Sequence, residues 1–182
     1  MKNVAIYTVT FLLAISCNTE KTNNEKLDKA LDYAGTNAGE LKKVIAHYSK
    51  ASGDSLKLQA AIFLIENMPG KGCIKYSAIT DCGTYTKNLF IGNGIGIDSI
   101  NKLKKKIENS LKCGEIRFSN PVFLPDIKII SAKQLIENID YAFKAWQLPW
   151  AKTLTFKEFK EYILPYRVQS EPLQTWRKKT FE

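Results

Sequence analysis

Apolar residues recur at helical spacing along most of the chain. Leu27, Leu31 and Ala34 share one face, and that run ends in the glycine-flanked stretch 35–39. Asn37 with Glu40 three places on resembles a capping box, with Asn in place of Ser or Thr, and predicts a helix carrying Leu41, Val44, Ile45 and Tyr48. A further helix starts at Asp54 or Ser55, runs through Leu58, Ala61, Ile62 and Ile65, and stops at Pro69-Gly70. Residues 71–97 break the pattern. They are glycine-rich and β-branched; Ile74, Tyr76 and Ala78 alternate, a turn is available at 81–83, and 85–91 can return as a strand. Asp98 then caps a helix bearing Ile100, Leu103, Ile107 and Leu111, followed by short extended stretches at 122–124 and 127–130.

The C-terminal third carries the sharpest helical signals. Ser131 and Gln134 form a capping box ahead of a stripe of Leu135, Ile139, Ala142, Phe143 and Trp146, with Pro149 beyond it. Thr155 and Glu158 form another, opening a helix with Phe156, Phe159, Tyr162 and Ile163 inside and Pro165 at its end. Pro172 suits the first turn of a last helix through Trp176. The expected fold is mainly α, a bundle-like helical domain with a small irregular or β-hairpin insertion around 71–97.

The N-terminus has a different character. Residues 4–15 hold no charge and follow Met1-Lys2. Twelve such residues as a helix rise about 18 Å, short of the ~30 Å hydrocarbon core, so a spanning helix is disfavoured. One positive charge, a short apolar run and small residues before a break make an export signal. The break is Ala14-Ile15-Ser16-Cys17, followed at once by the polar run NTEKTNNEK. It resembles a bacterial lipobox, in which the cysteine thiol is acylated and becomes the new N-terminus; Ala14 stands where leucine is usual. This reading makes 1–16 a signal peptide, 17–26 a polar tether after lipidated Cys17, and 27–182 a helical domain. That domain reaches Glu182 without a C-cap signal and is expected to be truncated there. A fully acylated cysteine supplies the several chains that stable anchoring needs, which places the protein on a membrane of the cell envelope, facing the periplasm or the cell surface.

Composition narrows the chemistry. The 182 residues are 45% hydrophobic and 25% charged, an ordinary globular balance. Net charge is +9, which suits anionic lipid or glycan; export removes nucleic acid as a natural partner. Segment 101–117 concentrates Lys102, Lys104, Lys105, Lys106, Lys112 and Arg117 against Glu108 and Glu115, a solvated face or a weak lipid contact without aromatics for base stacking. The stretch 92–98 lacks the lysine and Ser/Thr of a phosphate loop, and Asp98 would repel an anion. Cys73, Cys82 and Cys113 show no metal-ligand spacing, so neither metal nor cofactor is expected. In an oxidising compartment two of the three can pair, Cys73 with Cys82 closing the shortest loop. His47, the only histidine, reads as a boundary residue, and Glu137 and Asp140 fit a solvated face as well as a site.

Three stretches carry a family resemblance: FLIENMP at 63–69, LIENIDYAFKAW at 135–146, and FKEFKEYILPYR at 156–167 continuing to EPL at 171–173 and WR at 176–177. They resemble the region that precedes the catalytic core in transglutaminase-like lipoproteins of Bacteroidetes-type bacteria. The similarity covers roughly 27–69 and 127–177. It implies a mostly helical domain ahead of a papain-like core whose Cys, His and Asp lie downstream, and no position of this chain corresponds to that triad. Tyr166 and Arg167, on an extended exit after Pro165, are then candidates for contact with a following catalytic domain or an envelope partner, as are Trp150 and Trp176 for a partner, glycan or peptide. The expectation is therefore an exported, lipid-anchored binding or positioning module, or a remnant of a longer enzyme. The alternatives are a cysteine hydrolase or acyltransferase using His47 with Cys73, Cys82 or Cys113, and a surface glycan- or peptide-binding module.

Overall fold

The computed structural model describes residues 25–50, 53–80, 83–90, 97–111, 116–168 and 171–181. The leader, Cys17 and all but the last two residues of the expected tether lie outside them; residues 25 and 26 are already helical. The described residues are mainly α with a small antiparallel sheet.

Helix α1 covers 25–34 and buries Ala30 and Ala34. Gly35, at φ +59°, opens a 3-10 turn, Gly35–Asn37, that runs straight into α2, Ala38–Ser49. The capping box expected at Asn37 and Glu40 does not form. Asn37 is itself helical (φ −83°, ψ −5°) and not in the extended conformation that a cap residue takes. Both side chains reach across the fold instead. The Asn37 amide donates to the Ile127 and Ile130 carbonyls, each at 2.9 Å, and a Glu40 carboxylate oxygen accepts from the Ala132 N–H at 2.8 Å.

Helix α3, Ser55–Glu66, buries Ala60, Ala61, Leu64 and Ile65 against α2 and against α5, Ala132–Trp146. The Ser131–Gln134 box opens α5 as expected, with both reciprocal hydrogen bonds present. Phe143 and Trp146 are only partly buried, but they join an aromatic cluster with α6, Phe156–Tyr162. There the Trp146 ring stacks on Phe159 at 4.4 Å and its indole N–H donates to the Leu154 carbonyl at 3.0 Å. Thr155 and Glu158 box the start of α6. Tyr162, expected inside, is exposed. At 100° per residue it lies 120° around the helix from Phe156 and so leaves the stripe that Phe159 and Ile163 occupy.

The 71–97 insertion is a hairpin of β1, Gly72–Thr80, and β2, Gly83–Phe90. A third strand, β3, Arg117–Pro125, pairs antiparallel with the other edge of β1, giving the order β2-β1-β3. Only 122–124 of β3 was legible. Pro121 and Pro125 read as breakers, yet an edge strand tolerates proline because one row of its N–H groups needs no partner. Both ladders of β1 shift register around Tyr76 and Ser77, a shared irregularity in the central strand. Gly72 is needed for close approach. A Cβ there would meet the Leu124 carbonyl oxygen at 2.3 Å and the Phe123 ring at 2.6 Å. Helix α4, Ile97–Leu111, buries Ile107 with Ile116 against Leu103 and Phe118, a small cluster separate from the helical core.

The chain returns from β3 through the 3-10 turn Asp126–Lys128 to α5. The last helix, α7, is Trp176–Phe181 and not a helix begun at Pro172. Residues 171–175 stay non-helical because Glu171 is held from both sides. Its carbonyl accepts from Arg167, and its carboxylate accepts from the Val168 N–H at 2.8 Å.

Candidate functional site

The segment after α6 carries most of the polar chemistry among the described residues. Leu164 is buried, Pro165 ends the helix, and Tyr166 and Arg167 then turn toward the junction of β1 and the 126–128 turn. The Tyr166 hydroxyl donates to Asp126 Oδ2 at 2.9 Å. Arg167 Nε lies 3.0 Å from the same oxygen as an ion pair, and its terminal nitrogens donate to the Gly72 and Glu171 carbonyls. Asp126 is fully buried, and its Oδ1 finds no protein partner. Burial raises the Asp126 carboxyl above the ordinary aspartate range, although Tyr166 and Arg167 pull the other way. Burial raises the Tyr166 hydroxyl as well, with the Asp126 charge adding to it.

A second node lies beside the first. Arg177, buried at the start of α7, donates to Asn138 Oδ1 at 2.7 Å and to the Ile163 and Pro165 carbonyls, while the Asn138 amide donates to the Leu164 carbonyl at 2.9 Å. A guanidinium here caps the carbonyl end of α6, where the helix dipole is negative. Burial lowers the Arg177 pKa to about 10. Its Cζ lies over the Trp176 ring, 4.4 Å from the centroid, and the Trp176 indole N–H donates to the Tyr166 carbonyl at 2.9 Å.

These contacts settle where the candidate residues go. Tyr166, Arg167 and Trp176 hold the chain to itself, whereas Trp150 is 66% exposed in the loop between α5 and α6. Cys73 is buried on β1 within reach of the Asp126 and Arg167 charges, and burial pushes its thiol pKa up. Cys82 and Cys113 lie outside the described residues. His47 sits exposed on α2, edge-on to the Tyr48 ring. No hydrogen bond joins the Cys73 thiol to the His47 imidazole. Asp140 receives the Tyr48 hydroxyl and Lys57, and Glu137 lies 4.0 Å from Lys178. No cluster of metal-ligating side chains occurs among the described residues, and no described helix is long and apolar enough to cross a membrane.

Two hollows flank Tyr166 and Arg167. One, about 190 Å³, opens toward Glu171, Leu173 and Trp176. The other, about 320 Å³, lies between the end of α3 and α6 and is walled by Phe63, Leu64, Lys71, Lys160, Glu161 and Pro165 together with Tyr166 and Arg167. Sequence reasoning found Tyr166 and Arg167 but missed Asp126, Lys71 and Lys160. Asp126 had one available signal, an acidic residue directly after Pro125 between two apolar stretches, 122–124 and 127–130. The two lysines had none, since exposed and half-exposed lysines are everywhere in this chain.

No family model, no curated protein and no solved structure matches this chain.

Proposed function

We propose that this chain is an exported, lipid-anchored protein whose bundle-like helical domain binds or positions a partner at the cell envelope, equivalent to the region ahead of the catalytic core in transglutaminase-like lipoproteins. The binding half of this reading rests on one observation. In the segment with the most specific resemblance, Tyr166, Arg167 and Arg177 are consumed in holding the chain together, and Tyr166 and Arg167 wall an open hollow. Such residues act as scaffold and leave the chemistry of contact to what lines the groove. The anchoring half is supported by the switch from an uncharged run to a polar one at Cys17. The anchored domain would face the envelope space, held off the bilayer by the polar residues after Cys17.

Radiolabelled fatty acid fed to whole cells tests the anchor. The wild-type chain should take up label and enter the membrane fraction, and the Cys17→Ala chain should do neither. Equal labelling of the two would remove the anchored reading.

A further inference from the structure

The loop between α5 and α6 holds an apolar tip outside the fold. Its base is fixed from within. Ala151 is buried, the Trp146 indole N–H donates to the Leu154 carbonyl at 3.0 Å, and the Leu148 carbonyl accepts from the Ala151 and Lys152 N–H groups at 2.9 and 3.0 Å. Leu148, Pro149 and Trp150, by contrast, are consecutive and all exposed, Trp150 most of the three. Trp146 and Trp176 donate their indole N–H groups to carbonyls, but that of Trp150 meets no acceptor among the described residues. A turn whose own backbone bonds are closed keeps this large ring in solvent.

The charge along the loop is one-sided. No acidic residue occurs between Asp140 and Glu158, while Lys144, Lys152 and Lys157 do. Both bounding carboxylates are engaged. Asp140 pairs with Lys57 at 2.8 Å, about two turns back along α5, and Glu158 closes the Thr155 box beside Lys157. Lys57 also meets Asp54 at 3.9 Å, and these three acids against four lysines still leave the region positive. Lys144 lies over the Tyr141 ring, 4.4 Å from its centroid, a contact that keeps its charge. Lys152 is exposed, with no ion-pair partner among the described residues.

Apolar tip and cationic flank together select an occupant. A ring that is apolar, with an N–H that needs an acceptor, suits the boundary between acyl chains and headgroups, and lysines beside it match lipid phosphate. A sugar would ask for polar side chains around the ring to meet its hydroxyls, and Leu148, Pro149 and Ala151 offer none. We propose that the tip at 148–150 is a second membrane contact, in which Leu148, Pro149 and Trp150 enter the headgroup region of an anionic bilayer and Lys144 and Lys152 meet its phosphates. The inference rests on the anchored reading and deepens it. The stretch 18–24 is all that separates Cys17 from the first residue of α1, so an acylated Cys17 lets the domain sit no more than about 30 Å from the bilayer. Within that reach the domain can turn, and the tip decides which side of it comes down to the headgroups.

The test places the full-length chain on vesicles whose phospholipid is brominated near the headgroup end of its acyl chains, which quenches an indole on contact. The Trp150 share of the emission is the difference between wild type and Trp150→Phe. That share should be quenched on mixed phosphatidylcholine and phosphatidylglycerol. Its quenching should fall at least about twofold on phosphatidylcholine alone, in high salt, and for Lys144→Gln with Lys152→Gln. These positions are exposed, and an unchanged unfolding temperature confirms that each variant is folded. Acylation is read separately by intact mass. An acylated chain whose Trp150 stays unquenched overturns the tip contact and leaves the anchor standing; an unacylated chain whose Trp150 is quenched supports the tip and removes the anchor. Equal quenching with and without anionic lipid, a folded double lysine variant that behaves as wild type, or a Trp150 emission that responds to a soluble oligosaccharide or peptide and not to vesicles would each overturn the proposal.

Discussion

The Tyr166 hydroxyl and the Asp126 carboxylate, forty residues apart in sequence, meet at 2.9 Å where the sheet joins the helical core. The contact pins the C-terminal segment to the turn that leads from β3 into α5. Because Asp126 Oδ1 is already without a protein partner, Tyr166→Phe leaves a buried carboxyl with the Arg167 contact alone. The loss should be about 1–3 kcal/mol, read from urea unfolding. An unchanged midpoint would show that the hydroxyl contributes nothing to the fold.

Burial of Asp126 also sets a pH dependence. Its carboxyl holds a proton to higher pH in the folded chain than at its ordinary value of 3.8. Between those two values the native state binds more protons than the unfolded one. The stabilisation from protonated Asp126 is therefore complete below the unfolded value and is lost as pH rises through the folded one. Asp126→Asn has no such slope. Unfolding free energies of the two chains at about pH 4 and about pH 7 should show wild type losing ground to the variant as pH rises. A gap that moves in favour of wild type would mean that the Arg167 pairing outweighs the burial cost.

Arg177 has a different job: it supplies donors to carbonyls of the chain just past the end of α6. Arg177→Met would strand the Ile163 and Pro165 carbonyls and the Asn138 side-chain oxygen, at a cost of about 3 kcal/mol. Arg177→Lys should recover only part of this, since an ammonium cannot reproduce a planar fork that reaches three acceptors. Equal Tm values for the lysine variant and wild type would show that charge alone is enough.

Two glycines predict opposite outcomes. Gly72→Ala places a Cβ 2.3 Å from the Leu124 carbonyl oxygen and should disrupt the β1–β3 ladder, costing about 2 kcal/mol or more. Gly39→Ala sits in α2 with nothing within 4 Å and should stabilise by about 0.5–1 kcal/mol. Thermal unfolding of the pair separates close approach from helix propensity, and a Tm that rises for both would remove the close-approach argument.

The parts of this fold legible in the sequence are those set by local periodicity and local capping. The stripes of α2, α3 and α5, the boxes at Ser131 and Thr155, and the hairpin in 71–97 all depend on residues within a few positions of one another. What was missed depends on distant partners. Asn37 and Glu40 have the spacing of a cap, but the turn before them is already helical, and their side chains are claimed by residues about ninety positions away. β3 exists because β1 offers it a ladder. Tyr166 and Arg167 stood out in the sequence as residues for an outside contact, and the structure turns them inward because Asp126, invisible as a partner in one dimension, waits at the other side of the fold. The groove lysines could be found only once α3 and α6 were placed side by side.

The anchored-module account is tested most directly by the N-terminus of the native protein. Intact-mass and N-terminal peptide analysis of the chain taken from cell membranes should find Cys17 as the first residue, heavier than cysteine by its acyl groups and without residues 1–16. A membrane-free chain beginning at Met1, with Cys17 unmodified, would contradict it.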